Sequence, residues 1–150
     1  MRTINRDIVA ALLYSKDGKI LQALNAKSAD RVYPDCWGII GGGVEKGEDQ
    51  RTALNREMLE ESGIDIGSYA AELIFKSSGE AEKTLNTGER VFCRMKFYTY
   101  KVVMNDKIAS EIKITLDDEH TEYRWVEPPE LKALKLTPPS VELFTLLGYL

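Results

Sequence analysis

"GGVEKGEDQRTALNREMLEESGI", residues 42–64, joins a glycine turn to a helical pattern and gathers six carboxylates in 23 residues. Asp49 suits an N-cap, and Ala53, Leu54 and Met58 recur at helical spacing. Gly63 is a natural C′ residue, so the spacing predicts a helix from Asp49 to Ser62. Its last turns carry a physical conflict. Glu57, Glu60 and Glu61 stand three and four residues apart, where like charges on a helix surface repel by about 0.2–0.5 kcal/mol per pair. They also meet the negative end of the helix dipole. A divalent cation offsets both terms. Hard ions such as Mg²⁺ take oxygen ligands, and no thiolate or imidazole lies near enough in sequence to suit zinc.

Outward from that stretch, "DIVAALLYS" (7–15) and "KILQALNA" (19–26) flank Asp17-Gly18 and read as a hairpin. "KSADRVYPDCW" (27–37) is a polar loop, and "WGIIGGGVEKGE" (37–48) runs from a short strand into glycines. After the helix, "YAAELIFKSS" and "RVFCRMKFYTYKVV" read as strands, with the polar "GEAEKTLNTGE" between them expected to be a mobile loop. "EYRWVEP" is a further short strand. "PPELKALK" and "PPSVELFTLLGYL" each open with prolines suited to a first helical turn. The order predicts one α+β domain over residues 1–150, a mixed sheet flanked by helices.

Bulk properties exclude several classes. The chain has 150 residues, 43% of them hydrophobic and 29% charged, enough for a sizeable core. Its net charge of -4 argues against a stable nucleic-acid complex, which needs a basic surface. Cys36 and Cys93 lack C-x-x-C spacing and are expected as free thiols, one in a loop and one in a strand. The apolar run from Ile8 to Leu13 is too short for a signal peptide or a membrane span, so a cytoplasmic protein without membrane contact is expected.

Spacing then points to a family. Gly42, five residues, Glu48, seven residues, and Arg56-Glu57-Met58-Leu59-Glu60-Glu61-Ser62-Gly63-Ile64 resemble the Nudix box, G-x5-E-x7-R-E-U-x-E-E-x-G-U. Every specified position matches, with Met58 as the aliphatic residue U, and a chance match has a probability on the order of 10⁻⁹ per starting position. One departure is Ile40, where many relatives have proline before the double glycine. The resemblance implies the Nudix α/β/α sandwich and water attack on a diphosphate linkage, with Mg²⁺ or Mn²⁺ as cofactor. Carried over by position, Glu57, Glu60 and Glu61 are metal ligands, with the carbonyl of Gly42 or Gly41 as a further one. Glu48 sits beside the metal cluster, and Arg56 orients Glu48. Glu60 and Glu119 are candidates for the catalytic carboxylate. Glu119 stands six residues before Trp125, where several relatives place an extra catalytic or metal-binding carboxylate. Asp118, Glu122 and the lone His120 are weaker candidates.

Among the aromatics, Trp37 and Trp125 are expected in the core, and Tyr33 and Phe92 are candidates for holding a nucleobase. The compact length resembles the MutT-type enzymes, which convert a nucleoside triphosphate to a monophosphate and pyrophosphate. Some of those read a purine with an asparagine near the C-terminal helix. Here Thr137 and Ser140 stand in that region with no amide, which weakens an oxidised-guanine substrate. Nucleotide sugars are the alternative substrate class. Isopentenyl diphosphate isomerases share the fold, but their box is degenerate, and the intact box here argues for hydrolysis. A silent nucleotide-binding sensor module is the alternative of another kind. Family members often dimerise, which leaves a homodimer open.

Overall fold

The computed structural model describes residues 1–28 and 32–150. Ala29, Asp30 and Arg31 of the expected polar loop lie outside the described residues. The described strands are β1 (Arg2–Ser15), β2 (Ile20–Asn25), β3 (Trp37–Gly38), β4 (Ile40–Gly43), β5 (Glu72–Thr84), β6 (Arg90–Met104) and β7 (His120–Val126). Two α-helices accompany them, α1 (Gln50–Ser62) and α2 (Pro138–Leu146). The strands form one mixed sheet in the order β3-β2-β1-β6-β5, with β4 also on β1 and β7 also on β2.

The organising strand is β1. It pairs in parallel with β6 along its whole length, from Arg2 opposite Val91 to Ser15 opposite Met104. At its other edge β1 meets β2 only at Tyr14 and Ile20, beside the Asp17-Gly18 turn. Beyond that point the two hairpin strands part, and the chain from Trp37 to Gly43 fills the gap. β3 pairs with β2 at Ala23 and Leu24, and β4 then pairs with β1 from Ile8 to Ala11. The glycine turn is thereby held against the centre of the sheet.

Alternation assigns the faces. Val9, Ala11 and Leu13 of β1 join Ala53, Leu54 and Met58 of α1 in one buried cluster. Leu12 and Ile20 join Leu143 and Phe144 of α2 in a second cluster on the other face. This is the sandwich expected from the sequence, an α+β fold with helices on both sides of a mixed sheet. The expected stripe on α1 is fully buried. Asp49 caps the helix, its Oδ1 accepting from Thr52 N at 2.8 Å, and Gly63 ends it at φ 73°. Trp37 is buried, with the Arg124 guanidinium 4.8 Å above its ring, and Trp125 packs at the α1-side core. Both cysteines are free; Cys93 is buried.

Two expectations differ. The polar "GEAEKTLNTGE" is the end of a long hairpin, in which β5 continues to Thr84 and β6 begins at Arg90. A turn closes it, with Leu85 N donating to Glu89 O at 2.8 Å and Gly88 at φ 87°. Its charges lie across the strands from each other, Arg90 to Glu82 at 2.9 Å and Arg94 to Glu80 at 3.5 Å. Cross-strand pairing, invisible in a linear reading, makes a strand of what composition alone presents as a loop. "PPELKALK" forms a 3₁₀ helix over Pro128–Ala133 in place of an α-helix.

Candidate active site

α1 sets Glu57 and Glu61 one turn apart on the side facing β4. The Gly42 backbone is so close to Glu57 that a Cβ at Gly42 would strike the carboxylate. Arg56 is the hub beside them. Its Nε and Nη2 donate to the two oxygens of Glu48, each at 2.8 Å, and Nη1 donates to Glu57 Oε1 at 2.8 Å. Nη2 also reaches Gly43 O at 3.0 Å. The fork lowers the Glu48 carboxyl to about 2 and raises the Arg56 guanidinium further. Burial pushes the Glu57 carboxyl up, against the pull of Arg56.

Glu61 sits deeper, 3% exposed. Burial first, then the neighbouring Glu119, Glu57 and Asp117, push its carboxyl up to about 11. Its Oε2 has no hydrogen-bond partner among the described residues. The segment leading to β7 supplies its neighbours. Thr115 N donates to Ser62 O at 2.8 Å and ties that segment to the end of α1. Glu119 N donates to Asp117 Oδ1 at 3.1 Å, and Ala26 N donates to Glu119 O at 2.9 Å. One carboxylate oxygen from each of Glu61, Asp117 and Glu119 lies within 4.8 Å of the others.

The carboxylates open on a cavity of about 260 Å³. Gly41, Gly42 and Gly43 form one wall, and Ile8 and Ala10 of β1 with Cys93, Met95, Phe97 and Thr99 of β6 form another. Thr137, Ser140 and Leu143 close it from α2, and Tyr33 from the loop after β2. At Gly79 on β5 a Cβ would crowd Phe97 and the Tyr33 hydroxyl, at 3.1 and 3.2 Å. Burial raises the Tyr33 phenol.

The sequence-derived residues therefore separate. Glu48, Arg56, Glu57, Glu61, Glu119 and Gly42 come together. Glu60 does not face the cavity with Glu57 and Glu61; it is largely exposed and approaches Arg56 Nη1 at 3.4 Å. Tyr33 lines the cavity. Phe92 does not, because it lies one residue out of phase with Cys93, Met95 and Phe97 and projects from the opposite face of β6. Phe97 is the aromatic that this strand presents instead.

Two residues, Asp117 and Asn25, escaped the linear reading, and a third, His120, was only a weaker candidate there. Asp117, not Asp118, joins the cluster, because its turn onto Glu119 N puts both carboxylates on one side. His120 is buried and lines the cavity, its Nδ1 3.5 Å from Asp117 Oδ1. The amide absent from the start of α2 is present on β2, where Asn25 lines the cavity and donates to Tyr33 O at 2.9 Å. The x-D-x-E spacing of Asp117 and Glu119 was the available signal for the first. For Asn25 there was none short of the β2–β7 register.

The donor set fits a hard divalent ion. It is all oxygen, it includes a buried orphaned carboxylate oxygen, and the glycine wall lets main-chain carbonyls approach.

A mixed sheet between helices, with an arginine-braced acidic helix at a glycine wall, defines the Nudix class of pyrophosphohydrolases. The family model for the NUDIX domain matches residues 4–147, and the chain belongs to that family. The nucleoside triphosphatase NudI of Salmonella agona is 32% identical over 148 residues, covering 97% of this chain and 98% of that protein. Among solved structures, the dihydroneopterin triphosphate pyrophosphohydrolase of E. coli aligns with a TM-score of 0.67 at 21% identity, over 92% of this chain and 91% of that one. The MutT protein of Methanosarcina mazei Go1 aligns with a TM-score of 0.65 at 20% identity, over 96% and 92%. Among the described residues, no helix is long and apolar enough to cross a membrane.

Proposed function

We propose that this pyrophosphohydrolase hydrolyses a nucleoside triphosphate to a nucleoside monophosphate and pyrophosphate, using Mg²⁺ or Mn²⁺. The observation that carries the reading is the unpartnered Oε2 of Glu61, nearly out of solvent beside Asp117 and Glu119. A carboxylate so placed is costly unless a cation accompanies it. Glu57, Glu61, Glu119 and Asp117 would hold the ions with the Gly42 carbonyl, and Glu60 would join from the rim. Bound divalent ions would neutralise the polyphosphate and favour water as a nucleophile.

The chain's own groups do the rest. Arg56 fixes Glu57 while Glu48 fixes Arg56, so both act as positioning residues. Glu119, on the open side of the cluster, accepts the proton of the attacking water. The water oxygen bonds to a phosphorus of the α–β bridge, and the bridging P–O bond breaks. Tyr33 and Phe97 give the nucleobase an aromatic floor, and Asn25 and Ser140 supply polar groups beside it. The curated relative named above is itself called a nucleoside triphosphatase, which supports the substrate class.

The test is a panel assay with Mg²⁺ across ordinary and 8-oxo nucleoside triphosphates, GDP- and UDP-sugars, ADP-ribose and dinucleotides, with products separated by chromatography. Monophosphate plus pyrophosphate from a triphosphate is the expected result. Preferential release of a sugar phosphate would replace this reading with the nucleotide-sugar one. Metal binding without turnover of any substrate would point to a sensor.

A further inference from the structure

Among the described residues that line the cavity, one cation is without a protein partner. Arg6 of β1 lines the cavity and is partly buried. Among the described residues Arg6 makes no hydrogen bond or ion pair. The carboxylates around the glycine wall are engaged by another cation: Glu48 and Glu57 by Arg56 at 2.8 Å, and Glu45 by the same guanidinium at 3.8 Å. A partly buried guanidinium that lines the same cavity as Glu57, Glu61 and Glu119, yet pairs with none of them, is placed for an anion that the protein does not supply.

Its position is fixed by register. Ile8 pairs with Gly43, so Arg6, two residues before Ile8, shares the face that Gly43 presents to the cavity. The guanidinium occupies the space that a Gly43 side chain would fill, and a Cβ there would overlap Arg6 Nη2. At the next residue, Gly42, the corresponding space on the other face belongs to Glu57. Two adjacent glycines thus seat opposite charges on the two faces of one strand. Glu57, with Glu61 and Glu119, serves cations; Arg6 is left for phosphate.

We propose that Arg6 is the phosphate anchor of this site, binding across Gly43 the substrate phosphate oxygens that the acidic cluster does not handle. This rests on the triphosphate reading above. A substrate whose phosphate chain reaches from the cluster to Arg6 gains a charge-assisted contact that a shorter chain lacks. Arg6 is accordingly a specificity residue.

The experiment separates the two claims. Inorganic pyrophosphate and a nucleoside monophosphate, the two product halves, are titrated calorimetrically with Mg²⁺ into wild type, Arg6→Gln, Arg6→Lys and Gly43→Ala. Gly43 has no positive φ, so alanine is accessible to its backbone, and its methyl would displace the guanidinium. Kd for at least one half should weaken about ten- to a hundredfold in Arg6→Gln and in Gly43→Ala, the loss of a charge-assisted hydrogen bond. Arg6→Lys should restore part of it. KM for a triphosphate should rise by a similar factor while kcat changes less, and the Tm of Arg6→Gln should stay at the wild-type value. Unchanged Kd values for both halves overturn the proposal, as does a lowered Tm in Arg6→Gln that shows the guanidinium holding the fold. If wild type turns over no triphosphate, the proposed function falls, and the titrations still decide the role of Arg6.

Discussion

At the residue scale the candidate site combines charges paired within the protein with one group, Glu61, whose Oε2 has no partner among the described residues. Glu61 is the extreme case, a carboxyl raised to about 11 by burial and by the acidic groups around it. Replacing it by glutamine removes the ionisable oxygen and keeps the shape. Glu61→Gln should lose activity by about 10²-fold or more, since metal ions contribute several kcal/mol of charge stabilisation. Without metal the same variant should melt at or above the wild-type Tm. A marked drop in metal-free Tm would show Glu61 to be structural and remove the basis for a metal site. Arg56 behaves in the opposite way, because its partners are internal. Arg56→Lys keeps the charge and loses the fork that grips both oxygens of Glu48, so activity should fall about tenfold. Glu48 carries the sign of this pair. Its carboxyl is depressed to about 2, so its contribution is present above the ordinary value near 4.5 and lost as pH falls towards 2. Acid titration of the wild type followed by circular dichroism should show that loss, and Arg56→Lys should shift its midpoint upwards.

At the scale of elements, Gly63 shows how a helix end serves the site. It sits at φ 73°, donates its N–H to Leu59 O at 3.0 Å, and lies directly after the helix turn that bears Glu61. Gly63→Ala places a Cβ in the left-handed region, which costs about 1 kcal/mol and should lower Tm by roughly 2–4 °C. The Thr115–Ser62 tie beside it carries Asp117 and Glu119, so activity should fall more than this small stability loss explains. A Tm shift with activity unchanged would show that the helix end does not position the cluster. This element was legible in the sequence because its signals are local: an aspartate cap, an apolar stripe, a terminal glycine and carboxylates at helical spacing. The same holds for the Asp17-Gly18 hairpin turn. What was not legible depends on register. The parallel pairing of β1 with β6 determines that Phe97 and not Phe92 faces the cavity, and no local pattern in either strand announces it. Arg6 and Asn25 look like surface residues until their strands are paired. The β5–β6 extension was hidden for a related reason, since Glu80, Glu82, Arg90 and Arg94 read as solvated loop charges until they face each other.

At the scale of the whole molecule, the proposed metal site would link metal, protons and stability through Glu61. Its folded-state value, about 11, lies far above the 4.5 of an ordinary glutamate. Between those values the folded protein without metal binds a proton at this carboxyl that the unfolded chain does not. The stability that this proton contributes is therefore fully present below about 4.5 and lost progressively as pH rises towards 11, with a slope of up to ~1.4 kcal/mol per pH unit from this group. A divalent ion needs the deprotonated carboxylate, so it competes with that proton. Two consequences belong to the fold as a whole. At about 100 times its Kd, an ion should stabilise the protein by about 2.7 kcal/mol, raising Tm by roughly 5–10 °C, and chelation should reverse the shift. At a fixed Mg²⁺ concentration, the increment should also grow from pH 6 to pH 8, as proton competition weakens, while the metal-free protein becomes less stable over the same interval. Thermal melts of wild type and Glu61→Gln, with Mg²⁺ and with chelator, across that range provide the measurement. The two wild-type curves should diverge with pH, and the two Glu61→Gln curves should stay nearly parallel. Wild-type curves that stay parallel would mean that the metal and the Glu61 proton do not share a site, and the cation reading of the buried carboxylate would fail.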